Sequence, residues 1–188
     1  MLSRRDLLQF AALALARDLF RGIFPVLSAP WEAEAITGVD GIVWPFQDQA
    51  ELVVAIARRR RLPVILCVPG PDPESTRRAD RLAPDAIMAA PMSNLTELAR
   101  HYRAIARESS LPLIAHADGA MPIEFVLRMR QEIPTLRMVK DEAGHTLSRI
   151  SEYRRVAPDL AVFIGATGPL LTAAFERGAA GAMPCVSF

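Results

Sequence analysis

One phrase recurs along the chain: a helix-like segment, a proline, a short apolar run, then a glycine or proline stop. It is plainest in Leu62-Pro63-Val64-Ile65-Leu66-Cys67-Val68-Pro69-Gly70 and in Leu111-Pro112-Leu113-Ile114-Ala115-His116. It returns at Pro84 before Ala86 to Ala89, at Pro134 before Leu136 to Lys140, and at Pro158 before Leu160 to Gly165. A proline at or just before a strand start forfeits no interior ladder bond and stops the preceding helix. Apolar runs too short for helices, separated by amphipathic segments, signify βα units and a parallel sheet buried on both faces. The runs are Gly22 to Ser28, Gly41 to Trp44, Pro63 to Val68, Ala86 to Ala89, Pro112 to His116, Leu136 to Lys140, Ala161 to Gly165, and Gly181 to Pro184. They number eight, which is what closes a barrel.

Between the runs, Asp48 to Arg61, Asn94 to Ser109, Pro122 to Glu132, Thr146 to Val156 and Pro169 to Arg177 read as helices. Leu52, Val53 and Ile56 fall at helical spacing, as do Leu98, Tyr102 and Ile105, and Phe125, Val126 and Met129. The expected fold is an α/β (β/α)8 TIM barrel over residues 21–188. Such barrels usually take about 250 residues. Ala29 to Asp40 leaves room for about two helical turns, and the chain stops at Phe188, just past the eighth run. An abbreviated first crossover and a missing final helix are therefore expected. An apolar flank exposed in this way favours pairing with a second copy, or a shortened relative of a complete barrel.

Composition narrows the function. Apolar residues at 51% and charged residues at 23% of 188 fit one ordinary globular domain. A net charge of +1 and 6% aromatic residues offer nucleic acid neither a field nor a stacking surface. A small neutral or anionic metabolite fits better. The basic run Arg58 to Arg61 ends a helix, where cations complement the dipole. Cys67 and Cys185 form no metal-ligand or disulfide pattern, and both are expected as small core residues. No cofactor or metal is expected. No apolar run approaches the roughly 18 residues of a membrane span. Residues 1–20 hold Ser3, Arg4 and Arg5 ahead of Leu7, Leu8 and the apolar stretch Phe10 to Leu15, with Ala14-Leu15-Ala16 as small residues for cleavage. This resembles a twin-arginine export signal and predicts a periplasmic or exported protein. An amphipathic first helix on a cytoplasmic protein is the alternative.

Catalytic residues of such barrels lie at the C-terminal ends of strands. Lys140 closes the sixth run and His116 the fifth, so neighbouring strands bring them to one mouth. A lysine amine attacks a ketone carbonyl only in its neutral form, which desolvation favours, and a Schiff base then serves as an electron sink. His116 or a nearby carboxylate can move the protons. Asp118, Asp141 and Glu142 lie on the loops beyond. Position and chemistry alone leave a second role open, in which Lys140 caps a strand and pairs with Asp141 or Glu142. Gln47, Asp48, Asp118, Gly165 and Pro184 are the candidates for holding substrate.

Leu136 to Gly144, with its Lys-Asp-x-x-Gly order, resembles the lysine motif of the dihydrodipicolinate synthase and N-acetylneuraminate lyase family. Arg21 to Pro30 is similar to that family's first strand and Gly38 to Val43 to its second; Asp85 to Met88, Gly165 and Gly178 to Gly181 resemble later landmarks. The resemblance implies an aldolase-type lyase or synthase in which Lys140 forms a Schiff base with pyruvate or another 2-oxo acid. A homo-oligomer is expected from the uncovered flank described above. Two departures stand out. The family pattern has Gly-Thr-Thr-Gly-Glu after the second strand, its threonines holding the substrate carboxylate, where this chain reads Trp44-Pro45-Phe46-Gln47-Asp48. The family's proton-relaying tyrosine is replaced by His116. A barrel that binds a 2-oxo acid or sugar acid without turnover is the alternative function. A third reading takes Gly165-Ala166-Thr167-Gly168 as a phosphate-binding loop.

Overall fold

The structure, a computed structural model, describes residues 20–119, 121–165 and 170–185. The twin-arginine segment and most of the Gly165 to Gly168 loop lie outside the described residues. Strands and helices alternate in the order β1 (Gly22–Ile23), α1 (Pro30–Ala35), β2 (Ile42–Pro45), α2 (Ala50–Arg60), β3 (Val64–Val68), α3 (Pro73–Arg81), β4 (Ala86–Ala89), α4 (Leu95–Glu108), β5 (Leu113–Ala117), α5 (Ile123–Glu132), β6 (Leu136–Asp141), α6 (Thr146–Val156), β7 (Ala161–Ile164), α7 (Leu170–Glu176) and β8 (Gly181–Ala182).

The strands are all parallel and lie in the order β1-β8-β7-β6-β5-β4-β3-β2. The two ends of this sheet meet at Val26, which bridges Val43 of β2 on one side and Cys185, past β8, on the other. Hydrogen bonds from Val26 N to Pro184 O (2.7 Å), Val43 N to Pro25 O (2.9 Å) and Leu27 N to Val43 O (3.0 Å) close the seam. The eight-stranded barrel expected from the runs is the observed fold, and the six residues of α1 make its short first crossover. β1 is shorter than its run because Pro184 has no amide to continue the ladder with β8, and Pro25 has none to offer β2.

Side chains alternate across each strand, so the barrel separates two apolar cores. Phe24, Val43, Ile65, Met88, Ile114, Met138 and Phe163 fill the inside. Trp44, Leu66, Ile87, Ala115, Val139 and Ile164 face outward and pack against the helices. The basic run is structural: Arg58 donates to Leu82 O (2.7 Å), and Arg60 to the carbonyls of Ala33 and Ile36 at the end of α1. Those arginines satisfy helix-end acceptors that would otherwise need water.

Three expectations change. No helix was expected between the third and fourth runs, yet α3 stands there with Thr76 and Ala79 buried and no apolar stripe. Its start defines it: Pro73 opens the first turn, and Asp72 accepts from the amides of Glu74 (3.1 Å) and Ser75 (2.9 Å). Leu52 is 50% exposed, because Val53, Val54, Ile56 and Ala57 take the buried face of α2. Cys67 packs against the inner core, but Cys185 lends only its backbone to the seam and exposes its side chain.

Candidate active site

The direction of Lys140 is set just upstream of it. β5 and β6 pair Leu113 with Leu136 and then Ile114 with Met138, so Arg137 is an extra residue on β6. Leu113 and Leu136 belong to the outer core, Ile114 and Met138 to the inner one. Strict alternation through Arg137 would put Met138 and Lys140 on the outward face of Leu136; the register shift that accommodates Arg137 turns them into the barrel instead. His116 pairs with Lys140 across the same ladder and lies on the inward face of Ile114. Both residues are buried, Lys140 at 2% exposure.

Glu142 completes the cluster. Its amide bonds Ala117 O at 2.7 Å, which holds the chain over the barrel mouth. Its carboxylate lies between the two neighbours: Oε1 is 3.2 Å from Lys140 Nζ, and Oε2 accepts from His116 Nε2. Burial pushes the Glu142 carboxyl up, but the His116 hydrogen bond and the charges of Lys140 and His116 outweigh it and hold the group below its ordinary value. The carboxylate fits because residue 165 is glycine: a Cβ there would lie 2.0 Å from Glu142 Oε1. Burial raises the Cys67 thiol to about 12 against the pull of Lys140, so Cys67 stays neutral rather than pairing with the amine as a thiolate.

Asp141 faces the other way. Fully buried, it accepts from Arg149 Nε at 2.9 Å and 3.1 Å and from the Ala143 amide at 3.2 Å. Burial keeps its carboxyl raised even so close to Arg149. Of the two acids that follow Lys140, Glu142 is therefore its partner.

The other candidates are spread around the mouth. Gln47 and Asp48 line a cavity of about 470 Å³ with Ser28, Trp44, Ser75 and Arg78, whose guanidinium lies 5.6 Å over the Phe46 ring. Asp118 lines a second cavity of about 470 Å³ beyond β4 and β5, and its carboxylate takes the Gly119 amide at 2.7 Å. Lys140 lines neither. Gly165 sits beneath Glu142, and the Pro184 carbonyl is engaged in the seam. The residue that sequence reasoning did not select is Glu142. A signal it passed over concerns Lys140, the only lysine in 188 residues, against 21 arginines.

Fold and site together define a class: a closed parallel α/β barrel with a buried amine and a carboxylate at the mouth where such barrels do chemistry. Solved structures share the fold. The structure matches dihydrodipicolinate synthase from Oceanobacillus iheyensis with a TM-score of 0.74 at 16% identity, covering 93% of this chain and 70% of that one. The Bacillus anthracis dihydrodipicolinate synthase gives 0.72 at 21% identity, covering 88% and 70%. N-acetylneuraminate lyase from Mycoplasma synoviae gives 0.69 at 19%, covering 89% and 69%. In sequence the chain is 27% identical over 126 residues to an uncharacterised DapA-like lyase of Thermococcus onnurineus, a segment covering 61% of this chain and 43% of that relative. The match thus spans less than half of the relative's length. No protein-family model matches. The chain has the fold of the dihydrodipicolinate synthase and N-acetylneuraminate lyase family and resembles it in sequence.

Proposed function

We propose that the protein is an aldolase-type lyase or synthase that forms a Schiff base between Lys140 and the carbonyl of a small substrate. One observation carries this reading: the single lysine of the chain is buried inside the barrel mouth. Arginine can supply positive charge anywhere, and this chain uses it everywhere else; it cannot supply an amine that loses a proton and attacks carbon. In the proposed sequence Lys140 Nζ passes a proton to Glu142, 3.2 Å away, and its lone pair attacks the carbonyl carbon. The displaced π pair moves to oxygen, which takes that proton back from Glu142 to give a hydroxyl; the carbinolamine nitrogen then passes a second proton through Glu142 to the hydroxyl, which leaves as water as the nitrogen lone pair forms the C=N bond. The resulting iminium takes up the electron pair of the adjacent carbon-carbon bond when that bond breaks, or returns it when one forms. His116, bonded to Glu142 through Nε2, orients the carboxylate and exchanges its proton.

The family likeness suggests a 2-oxo acid such as pyruvate as the first substrate to try. Trapping with borohydride tests the reading: reduction should leave a stable adduct on Lys140, located by mass spectrometry. With no other lysine present, the background is confined to the α-amino group. Labelling that is absent, or that survives Lys140→Arg, ends the proposal. Trp44 to Asp48, standing where the family has its threonine pair, favour a second reading as a binding barrel. That reading predicts ligand-induced thermal stabilisation with no bond cleavage. Export and self-association belong to the same proposal. Leu170 and Phe175 on α7 are exposed, which suits contact with a second copy. Cell fractionation and sedimentation check the two.

A further inference from the structure

We propose that a cavity beside the start of β6, at the end of the barrel opposite the mouth, binds a small monocarboxylate with an apolar body. Arg130 and Gln131 at the end of α5, Arg137 on β6, and Leu127, Pro134 and Val156 line a volume of about 440 Å³, an ordinary size for a small-ligand site. Arg137 carries the inference. It stands half-buried at the register shift between β5 and β6. Its Nε is buried with no hydrogen-bond partner among the described residues, and its Nη1 comes only to 3.6 Å from Asp159 Oδ2. That oxygen already accepts from Arg130 Nη2. A guanidinium offers its donors in a planar fork that matches a carboxylate, and an unmet donor on a charged group is costly to bury.

The neighbouring charges leave a cation unmatched. Around the ends of α5 and α6 and the start of β6 lie Arg128, Arg130, Arg137, Arg154 and Arg155, with Glu132, Glu152 and Asp159 as the acids. Each acid has its own cation: Glu132 is held by Arg103 of α4 at 2.6 Å, Glu152 lies 3.9 Å from Arg155, and Asp159 accepts from Arg130. Arg128, Arg137 and Arg154 remain, set against the carbonyl ends of two helices that carry about half a negative charge each. Arg154 donates to Pro158 O at 2.6 Å and Arg128 lies over the Phe125 ring, so Arg137 is the cation of this group left open to the cavity. No acid lines that cavity among the described residues. One open guanidinium suits one carboxylate, and the wall of Leu127, Pro134 and the exposed Val156 suits a hydrocarbon body behind it.

Titration of the full chain, followed by NMR of its leucine and valine methyl groups, tests the site with three probes: phenylacetate, its neutral isostere phenylacetamide, and inorganic phosphate. Phenylacetate should shift the Leu127 and Val156 methyls saturably. Phenylacetamide, which lacks the charge, and phosphate, which lacks the apolar body, should each bind at least about tenfold more weakly. Arg137→Gln should weaken phenylacetate by about tenfold and leave phenylacetamide unchanged. If that variant does not fold, the comparison of acid with amide in wild-type protein decides alone. The inference is overturned by an absence of shifts at Leu127 and Val156, by equal affinity for the amide, by phosphate binding as tight as phenylacetate, or by an Arg137→Gln protein that binds phenylacetate as wild type does. None of these outcomes touches the Schiff-base reading, which borohydride trapping at Lys140 tests separately.

Discussion

At position 165 a single methyl group would have to displace the Glu142 carboxylate, because its carbon would lie 2.0 Å from Oε1. Gly165→Ala should therefore lower stability by about 1–3 kcal/mol, the usual range for overpacking. Glu142→Ala should relieve most of that penalty in the double variant, a coupling that a denaturation cycle measures directly. The charge of Glu142 carries its own signature. A carboxyl held below its ordinary value in the folded state contributes stability above the usual glutamate range and loses it as pH falls through the folded value. Wild type should therefore exceed Glu142→Gln most at about pH 7, with the gap closing toward about pH 3; a gap constant across that range in paired melts would contradict the ion pair. Lys140 and His116 were legible because they end apolar runs. Glu142 was not, since the choice between it and Asp141 depends on which face β6 presents. The register shift at Arg137, which breaks strict alternation along β6, decides that face.

At the scale of elements, what the sequence concealed was concealed by a lack of burial. The strands were legible because each is apolar on both faces, and α4 and α5 because Leu98, Tyr102 and Ile105, and Phe125, Val126 and Met129, repeat at helical spacing and are all buried. α3 buries only Thr76 and Ala79, so periodicity cannot find it; its Asp-Pro-Glu start could have. That start should therefore matter more to α3 than its packing does. Asp72→Ala removes the acceptor for the Glu74 and Ser75 amides and should lower stability by about 1 kcal/mol. Asp72→Asn, which keeps an acceptor oxygen, should recover most of the loss in urea denaturation. Equal losses from the two substitutions would assign the effect to charge instead of capping.

Counting runs predicted a barrel of eight strands, but where the whole molecule closes was not legible, because Pro25 and Pro184 lack the amides that would continue the ladders to β2 and β8 and leave Val26 to bridge both neighbours. The seam is thin: an isolated bridge on each side of Val26, with β1 reduced to two residues. Its hydrogen bonds are nonetheless short, at 2.7–3.0 Å, and Phe24 beside it meets Phe163 edge-on at 5.9 Å inside the barrel, tying the first strand to β7. If that inner contact holds the barrel shut, closure should be cooperative with the whole fold. The Val26, Leu27 and Val43 amides should then exchange with solvent at rates within about tenfold of Val139 in β6. Phe163→Ala leaves every seam hydrogen bond in place and empties the aromatic contact, at a cost of about 3–5 kcal/mol. In that variant the three seam amides should gain exchange rate ahead of β5 and β6, since Phe163 backs the Phe24 ring, which also packs over Gly41 just before β2 and so spans the seam. Seam amides that already exchange orders of magnitude faster than Val139 in wild-type protein would mean instead that the sheet opens between β1 and β2, with the barrel held by its helices.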